Sequence, residues 1–239
     1  MQFQSPLNEA RLLRRYKRFL ADVALPDGTE LTVHCANPGS MIGVAPVGAR
    51  CWISTSANKA RKLPNSLELV EVTEFGAPAL IGINTSNPNK IAEEAILRRA
   101  IPELSGYETL RREVKYGAEK SRIDLLLEDP RKGTCYVEIK NVHLRRREDG
   151  LAEFPDCVTT RGAKHLRELI GVTKLGHRAV MLYIVQRPDC NAFAPAADLD
   201  PAYAEGLHAA KEAGVELLCY DCEITTSEIV LRKALPIRL

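Results

Sequence analysis

The 239-residue chain has no long apolar run. Its longest purely apolar stretch of note, Ala179 to Val185, is seven residues, against the roughly 20 that a membrane-spanning helix needs. No membrane partner is therefore expected. No apolar region follows the N-terminus, where Arg11, Arg14, Arg15, Lys17 and Arg18 crowd together instead, so a secretory signal is not expected either. No charge sign dominates. Lys plus Arg number 33 against 31 Asp plus Glu, a net charge of +2, which excludes a polycation binding by bulk charge alone. There is no cysteine framework. Seven cysteines lie scattered, an odd number without disulfide spacing, which implies reduced thiols and a cytoplasmic protein. Cys219 and Cys222 form one C-x-x-C, but no second ligand pair follows at short spacing, so zinc is not expected. Low-complexity tracts, internal repeats and a Gly-rich phosphate loop are also missing, which weakens a reading as a sugar- or nucleotide-effector binder.

What remains is an ordinary globular balance, 45% apolar and 27% charged, long enough to bury a sizeable core. The pattern changes near residue 82, which predicts domains over 1–82 and 83–239. The first part reads as short strands and turns. Leu12–Leu20 has strand-like or mixed character. Asp27-Gly28 predicts a hairpin between Phe19–Leu25 and Glu30–Cys35. Ala49–Thr55 and Leu67–Glu74 are further strands. Together they predict a small β-barrel or sandwich. The second part mixes helices, over Ile91–Ile101, Thr160–Val172 and Pro201–Ala213, with strands. Arg111–Tyr116, Ile123–Glu128 and Cys135–Val142 are three in succession. Ala179–Val185 is a buried strand and Val215–Tyr220 the last one. This predicts an α/β domain with a mixed sheet.

The chemistry-bearing stretch is Ser121-Arg122-Ile123-Asp124, followed by a turn at Asp129–Gly133 and then Glu138-Ile139-Lys140. A hairpin centred on Arg131 sets Asp124 opposite Glu138, with Cβ atoms about 4.5–5.5 Å apart. Lys140, two residues on, shares the Glu138 face, while Val137 and Ile139 take the other. Two opposed carboxylates call for a cation between them. Hard oxygen ligands suit Mg²⁺ or Mn²⁺, which activates water and stabilises charge on a phosphate under attack. The spacing D-x13-E-x-K is the signature of the PD-(D/E)xK nuclease superfamily, though the competing reading is a solvated strand face whose charges pair with one another. The preceding helix offers Glu94 as a third ligand, on the stripe Ile91, Glu94, Arg98, Ile101. Glu93 is the alternative, and a surface Glu94–Arg98 pair the bland one. Further on, Thr159 or Thr160 caps a helix carrying Arg161, Lys164 and His165, a phosphate-binding arrangement near a helix N-terminus or simply a solvated face.

Taken together the residues resemble the bacterial sugar fermentation stimulation protein A family over essentially the whole length. The resembling segments are RLLRRYKRFLADV (11–23), LTVHCANPGSMIG (31–43), RKLPNSLEL (61–69), EVKYGAEKSRIDLLL (113–127), CYVEIKNVHL (135–144) and FPDCVTTRGAKHLREL (154–169). The resemblance implies a two-domain chain, an OB-like β-barrel followed by a restriction-endonuclease-like mixed sheet with flanking helices. It also implies sequence-nonspecific DNA binding and a regulatory role in sugar, notably maltose, metabolism. The family's acidic and lysine positions fall on Asp124, Glu138 and Lys140, with Glu94 as the helix carboxylate. Many nucleases of the wider superfamily have Pro before the Asp; here Ile123 stands there.

OB-folds hold nucleic acid in a basic groove with aromatic platforms. Arg14, Arg15, Lys17 and Arg18 surround Tyr16 and Phe19, and Arg50, Trp52, Lys59, Arg61 and Lys62 repeat the mixture. Of these, Arg14, Arg15, Lys17, Arg18, Arg61 and Lys62, with Arg122, Arg161, Lys164 and His165, are the expected nucleic-acid contacts, to DNA or RNA. If 11–18 were one strand, Tyr16 and Arg18 would share one face and Arg15, Lys17 and Phe19 the other, so only part of the set could enter a groove. A homodimer would double the basic surface. Two functions stay open: a DNA-binding regulator without turnover, and a Mg²⁺- or Mn²⁺-dependent nuclease.

Overall fold

The computed structural model describes residues 1–239. Its N-terminal strands are β1 (Asn8–Tyr16), β2 (Leu20–Ala24), β3 (Glu30–His34), β4 (Arg50–Thr55), β5 (Asn65–Val72) and β6 (Ala79–Gly82). The first five close into a barrel. β1 pairs with β2 and β4, β2 with β3, and β5 with β4. One parallel bridge, His34 to Ser66, joins β3 to β5 and seals it. Closure removes the exposed edges that a small sheet would otherwise carry. Leu12, Val23, Val33, Ile53 and Leu67 fill the interior. The β2–β3 turn is at Asp27-Gly28, where Asp27 Oδ1 accepts the Thr29 N–H at 2.9 Å and Gly28 takes φ +85°.

The basic segment differs from one continuous strand. β1 ends at Tyr16, and Lys17 and Arg18 turn left-handed with φ +48° and +63°. Their charges stand at the tip of a tight turn, so the division of this segment between two strand faces does not apply beyond Tyr16.

The C-terminal part comprises α1 (Pro88–Leu97), β7 (Thr109–Tyr116), β8 (Ser121–Asp129), β9 (Gly133–Val142), β10 (Leu144–Arg145), β11 (Leu151–Phe154) and α2 (Thr160–Lys174). It continues with β12 (Arg178–Val185), β13 (Ala192–Pro195), α3 (Pro201–Glu212), β14 (Glu216–Ile224) and β15 (Ile229–Ala234). Six strands make a mixed sheet in the order β15-β14-β12-β9-β8-β7, with β9, β12 and β14 parallel; β10, β11 and β13 form a small second sheet. α1 covers one face of the main sheet, packing Ile91, Ala92 and Ala95 with Leu125, Val137 and Ile139. α2 and α3 cover the other, where Leu166, Leu169, Tyr203 and Leu207 meet Leu126, Met181 and Tyr183.

Three expectations shift. The first helix stops at Leu97 rather than Ile101, because Arg99, just past the Arg98 cap, turns left-handed at φ +59°. Tyr220 does not end the last strand: β14 runs to Ile224 and β15 returns antiparallel beside it. The strands of the small sheet, two to four residues long, carry too few alternating positions to register in the sequence. Cys219 and Cys222 lie three apart on β14 and enter opposite cores, so the two thiols of the C-x-x-C do not converge.

The two parts share packing. Trp52 and Leu69 on the barrel's outside belong to the α1-side core. Asp156 Oδ2 accepts the Met41 N–H at 2.8 Å, and the Gly82 N–H donates to the Gln186 carbonyl at 2.9 Å. Gly39 permits the first contact, since a Cβ there would stand 2.5 Å from the Asp156 carboxylate. The barrel thus sits against the N-terminal end of α1.

Candidate metal and nucleic-acid site

β8 and β9 pair in the register set by a turn at Arg131, from Asp129–Gly133 through Leu125–Val137. There the backbone ladder stops, one pair short of Asp124 and Glu138. Asp124 Oδ2 accepts the Ile139 N–H at 2.7 Å in place of a backbone carbonyl. On the other side, the β7–β8 pairing skips Glu113 and Asp124, and Glu113 takes φ +52°. Side-chain alternation breaks at the same point. Ile123 enters the α2-side core and Leu125 the α1-side core, although residues two apart on a straight strand share a face. The strand is wrung at Asp124, and its carboxylate lies in the gap between strands. Strained backbone of this kind persists where the surroundings hold it, often at functional sites.

Glu138 and Lys140 follow normal alternation on β9 and face α2. Lys140 Nζ donates to Glu138 Oε1 at 2.6 Å. The same oxygen contacts His165 Nδ1, and Lys140 Nζ lies 3.1 Å from that nitrogen. Arg161, one turn earlier on α2, points its Nε at His165 Nε2 at 3.4 Å. An ionised carboxylate can only accept, so His165 Nδ1 carries a proton and donates it to Glu138. Helix α2 delivers these groups from a capped start. Thr159 Oγ1 accepts the Gly162 N–H at 3.0 Å, while Asp200, the cap of α3, takes the Thr159 N–H at 2.7 Å.

The second Glu138 oxygen, Oε2, is buried without any hydrogen-bond partner in a side chain only 2% exposed. Burial works to raise this carboxyl's pKa, but Lys140 and His165 outweigh it and the net shift is downward, so Glu138 stays ionised. Asp124 goes the other way. Burial first, then the charge of Glu138, push it up to about 6, against the opposing pull of the Ile139 N–H, Lys140 and Asn89. Two neighbouring carboxylates are thus split in affinity for a proton, as a shared site for positive charge requires.

Asn89 is not among the residues that the sequence singles out. It lies in the first turn of α1, and its Nδ2 donates to Asp124 Oδ1 at 2.8 Å. In the sequence it marks only a helix start. Tyr116 escapes notice as well. Its hydroxyl is buried without a partner, and burial, then the charges of Glu138, Glu168 and Asp124, drive its pKa up.

Several expected residues are placed elsewhere. Glu94 lies five residues past Asn89, about 140° around the helix, and its carboxylate holds the Met1 amine at 3.0 Å and Arg98 at 2.9 Å. It does not join Asp124 and Glu138. Glu93, four residues from Asn89 and so on its face, pairs with Arg112. No group of three or more His, Cys, Asp or Glu side chains is arranged around one point. Arg15 spends its guanidinium on the carbonyls of Arg18, Asn37, Gly39 and Ser40, locking the 37–40 loop rather than facing a phosphate. Lys164 Nζ donates to the Glu119 carbonyl. His165 is buried inside the acidic cluster, not on a phosphate-facing surface. Arg14 pairs with Asp22 at 2.7 Å. Lys17, Arg18, Arg61, Lys62, Arg122 and Arg161 are exposed. Trp52 is buried beneath Arg50, which pairs with Glu9 and Glu71.

Comparison with known proteins matches both parts. Residues 13–83 fit the family description "SfsA N-terminal OB domain", and residues 86–228 fit "Sugar fermentation stimulation protein RE domain". A sugar fermentation stimulation protein homolog of Rhodospirillum centenum is 58% identical over 235 residues, covering 98% of each chain. That of Jannaschia sp. is 52% identical over 237 residues, covering 99% of this chain and 97% of the other. A solved structure of Pyrococcus furiosus SfsA in complex with Ca²⁺ superposes with a TM-score of 0.88 at 30% identity, covering 100% of this chain and 98% of that one.

Proposed function

The chain belongs to the sugar fermentation stimulation protein family, and on that basis we propose that it binds DNA through phosphate contacts without reading sequence. We propose further that it holds Mg²⁺ or Mn²⁺ between Asp124 and Glu138 for phosphodiester hydrolysis. The observation that carries this reading is Glu138 Oε2, a buried ionised oxygen with no partner, close enough to Asp124 for the two charges to act on each other. A buried carboxylate oxygen left without a partner is costly, and a cation accounts for it. The donors fit: two hard carboxylates with waters completing the shell is how Mg²⁺ is usually held. The relative solved with Ca²⁺ supports a divalent ion in this fold. When bound, the ion supplies positive charge to the phosphate and an acidified water.

The chain's own residues do the rest. Asn89 and the Ile139 N–H fix the Asp124 carboxylate, leaving its lone pairs directed by two donors. His165 and Lys140 share Glu138 Oε1 and so leave the buried Oε2 free to hold a cation. Lys140 is half-buried, with two further donor positions for a phosphate oxygen or the attacking water. Arg161, exposed at the start of α2, stands where a phosphate can be drawn in. A regulatory role in sugar metabolism would act through this DNA binding.

The deciding experiment incubates wild type and Glu138→Ala with labelled single- and double-stranded DNA and RNA, in Mn²⁺ or in chelator. Cleavage by wild type alone, with metal alone, and binding by both proteins is the expected outcome. Binding by both with cleavage by neither would leave the regulator without turnover. Calorimetry gives the parallel test: Asp124→Ala should abolish the Mn²⁺ isotherm.

A further inference from the structure

Between the barrel and the start of α1 lies a cavity of about 500 Å³, lined largely by polar groups. Among its charged lining residues, Arg61, Lys90 and Arg112 face a single acid, Glu68. That acid is already satisfied by neutral donors: Ser54 at 2.7 Å, Asn84 at 2.9 Å and Asn87 at 3.0 Å. Arg112 is paired with Glu93, so Arg61 and Lys90 give the cleft its net positive wall. At its barrel end His34 lines the cavity, and the ring of Phe19 stacks on it with centroids 6.4 Å apart and planes 16° from parallel. Phe19 is 46% exposed, an unusual position for a Phe next to two basic turn residues, Lys17 and Arg18. At its other end the cleft borders the start of α1, at Asn87 and Lys90. Lys90 adjoins Asn89, which holds Asp124, and Arg112 is the ladder partner of Leu125. Platform and basic wall thus adjoin in one cleft, whose Lys90 is the chain neighbour of the Asn89 that holds Asp124.

We propose that this cleft takes a single strand of nucleic acid, with one base stacked on Phe19–His34 and the following phosphates led past Arg61 and Lys90 toward the start of α1. The proposal rests on the nucleic-acid reading above and narrows it to single strands, ends, flaps or loops. A duplex keeps its base faces stacked inside and cannot offer one to a side chain, whereas a single strand can. Loops at the end of an OB-type barrel are where oligonucleotides generally lie, and here the β1–β2 turn and the β4–β5 loop supply Lys17, Arg18, Arg61 and Lys62. Stacking also explains why an exposed aromatic is placed among cations rather than in the core.

The test uses full-length protein in chelator, so that nothing is cut. Oligonucleotides of DNA and of RNA carry 2-aminopurine at successive positions, as single strands and as duplexes. Wild type should bind single strands more tightly than duplex and quench 2-aminopurine at one position. Phe19→Ala should lose the quenching and weaken single-strand binding about tenfold or more, with duplex binding little changed. Phe19→Trp should restore both. Lys90→Ala should weaken binding of every single strand but keep the quenching. Equal single-strand affinity for wild type and Phe19→Ala, tighter binding of duplex by wild type, or full displacement by an acidic polypeptide with no dependence on Phe19 would each overturn the proposal while leaving nucleic-acid binding intact. Wild type binding no nucleic acid at all would remove the underlying reading instead.

Discussion

Asp124 has an unusual proton affinity for its residue type. Its ordinary pKa is 3.8, and the fold raises it to about 6, mainly by burial and then by Glu138. The folded chain thus binds this proton more tightly than the unfolded chain. Stability from protonated Asp124 is full below about pH 4 and is lost as pH rises through about 6. At pH 7 without metal, the ionised carboxylate costs the fold up to about 3 kcal/mol, the free-energy equivalent of that rise in proton affinity. Asp124→Asn keeps the acceptor for Ile139 and removes the charge. Metal-free urea unfolding at pH 7 should show it more stable than wild type, with the gain fading near pH 4. Adding Mn²⁺ should reverse the order, stabilising wild type only, and calorimetry should find wild-type Mn²⁺ affinity falling as pH drops below about 6. Asn89 and Tyr116 show what residue-level reading of the sequence misses. An Asn in a first helical turn and a Tyr at a strand end look ordinary until the fold sets them beside the carboxylates.

At the scale of elements, the site depends on where α2 begins. Asp200 caps α3 through the Tyr203 N–H at 3.1 Å and also takes the Thr159 N–H at 2.7 Å, so one buried carboxylate ties together the starts of both helices. Asp200→Ala strands two buried donors and should destabilise by about 1–3 kcal/mol in denaturant unfolding. Asp200→Asn, which can still accept, should cost much less. Because His165 sits one turn into α2 and holds Glu138, the alanine variant should also weaken Mn²⁺ binding. The hairpin β8–β9 is legible in the sequence down to its register, since Asp129–Gly133 is a strong turn and the apolar residues alternate on either side. The wrung strand at Asp124 is not. It arises from Glu113 on β7 leaving the ladder, a relation across strands that no local pattern records. The side of α1 that meets the site is hidden for a similar reason. Glu94 and Glu93 differ by one residue, and only docking of the helix shows that Asn89 and Glu93 share the Asp124 side while Glu94 meets the Met1 amine.

Across the whole molecule, the charge is arranged rather than abundant. Lys17, Arg18, Lys59, Arg61, Lys62, Arg122 and Arg161 stand exposed on a chain whose net charge is only +2. Phosphate neutralisation releases counterions, so DNA affinity should fall steeply with salt, by orders of magnitude between about 50 and 200 mM. Fluorescence anisotropy over that range measures the slope; a flat response would rule out phosphate-led binding. No helix is long and apolar enough to cross a membrane. The order of residues alone already specifies the two-part architecture and the hairpin carrying Asp124, Glu138 and Lys140, because turns, alternation and spacing are local and survive reading in one dimension; the family is legible through whole segments that resemble its members. Packing settles the rest. It leaves some cations free and gives others, like Arg15 and Lys164, to carbonyls. It buries His165 against Glu138, leaves Glu138 Oε2 without a partner, and lays the Phe19–His34 stack at the end of a polar cleft beside the start of α1. These depend on groups far apart in the chain meeting at hydrogen-bond distance, and only the folded arrangement fixes such distances.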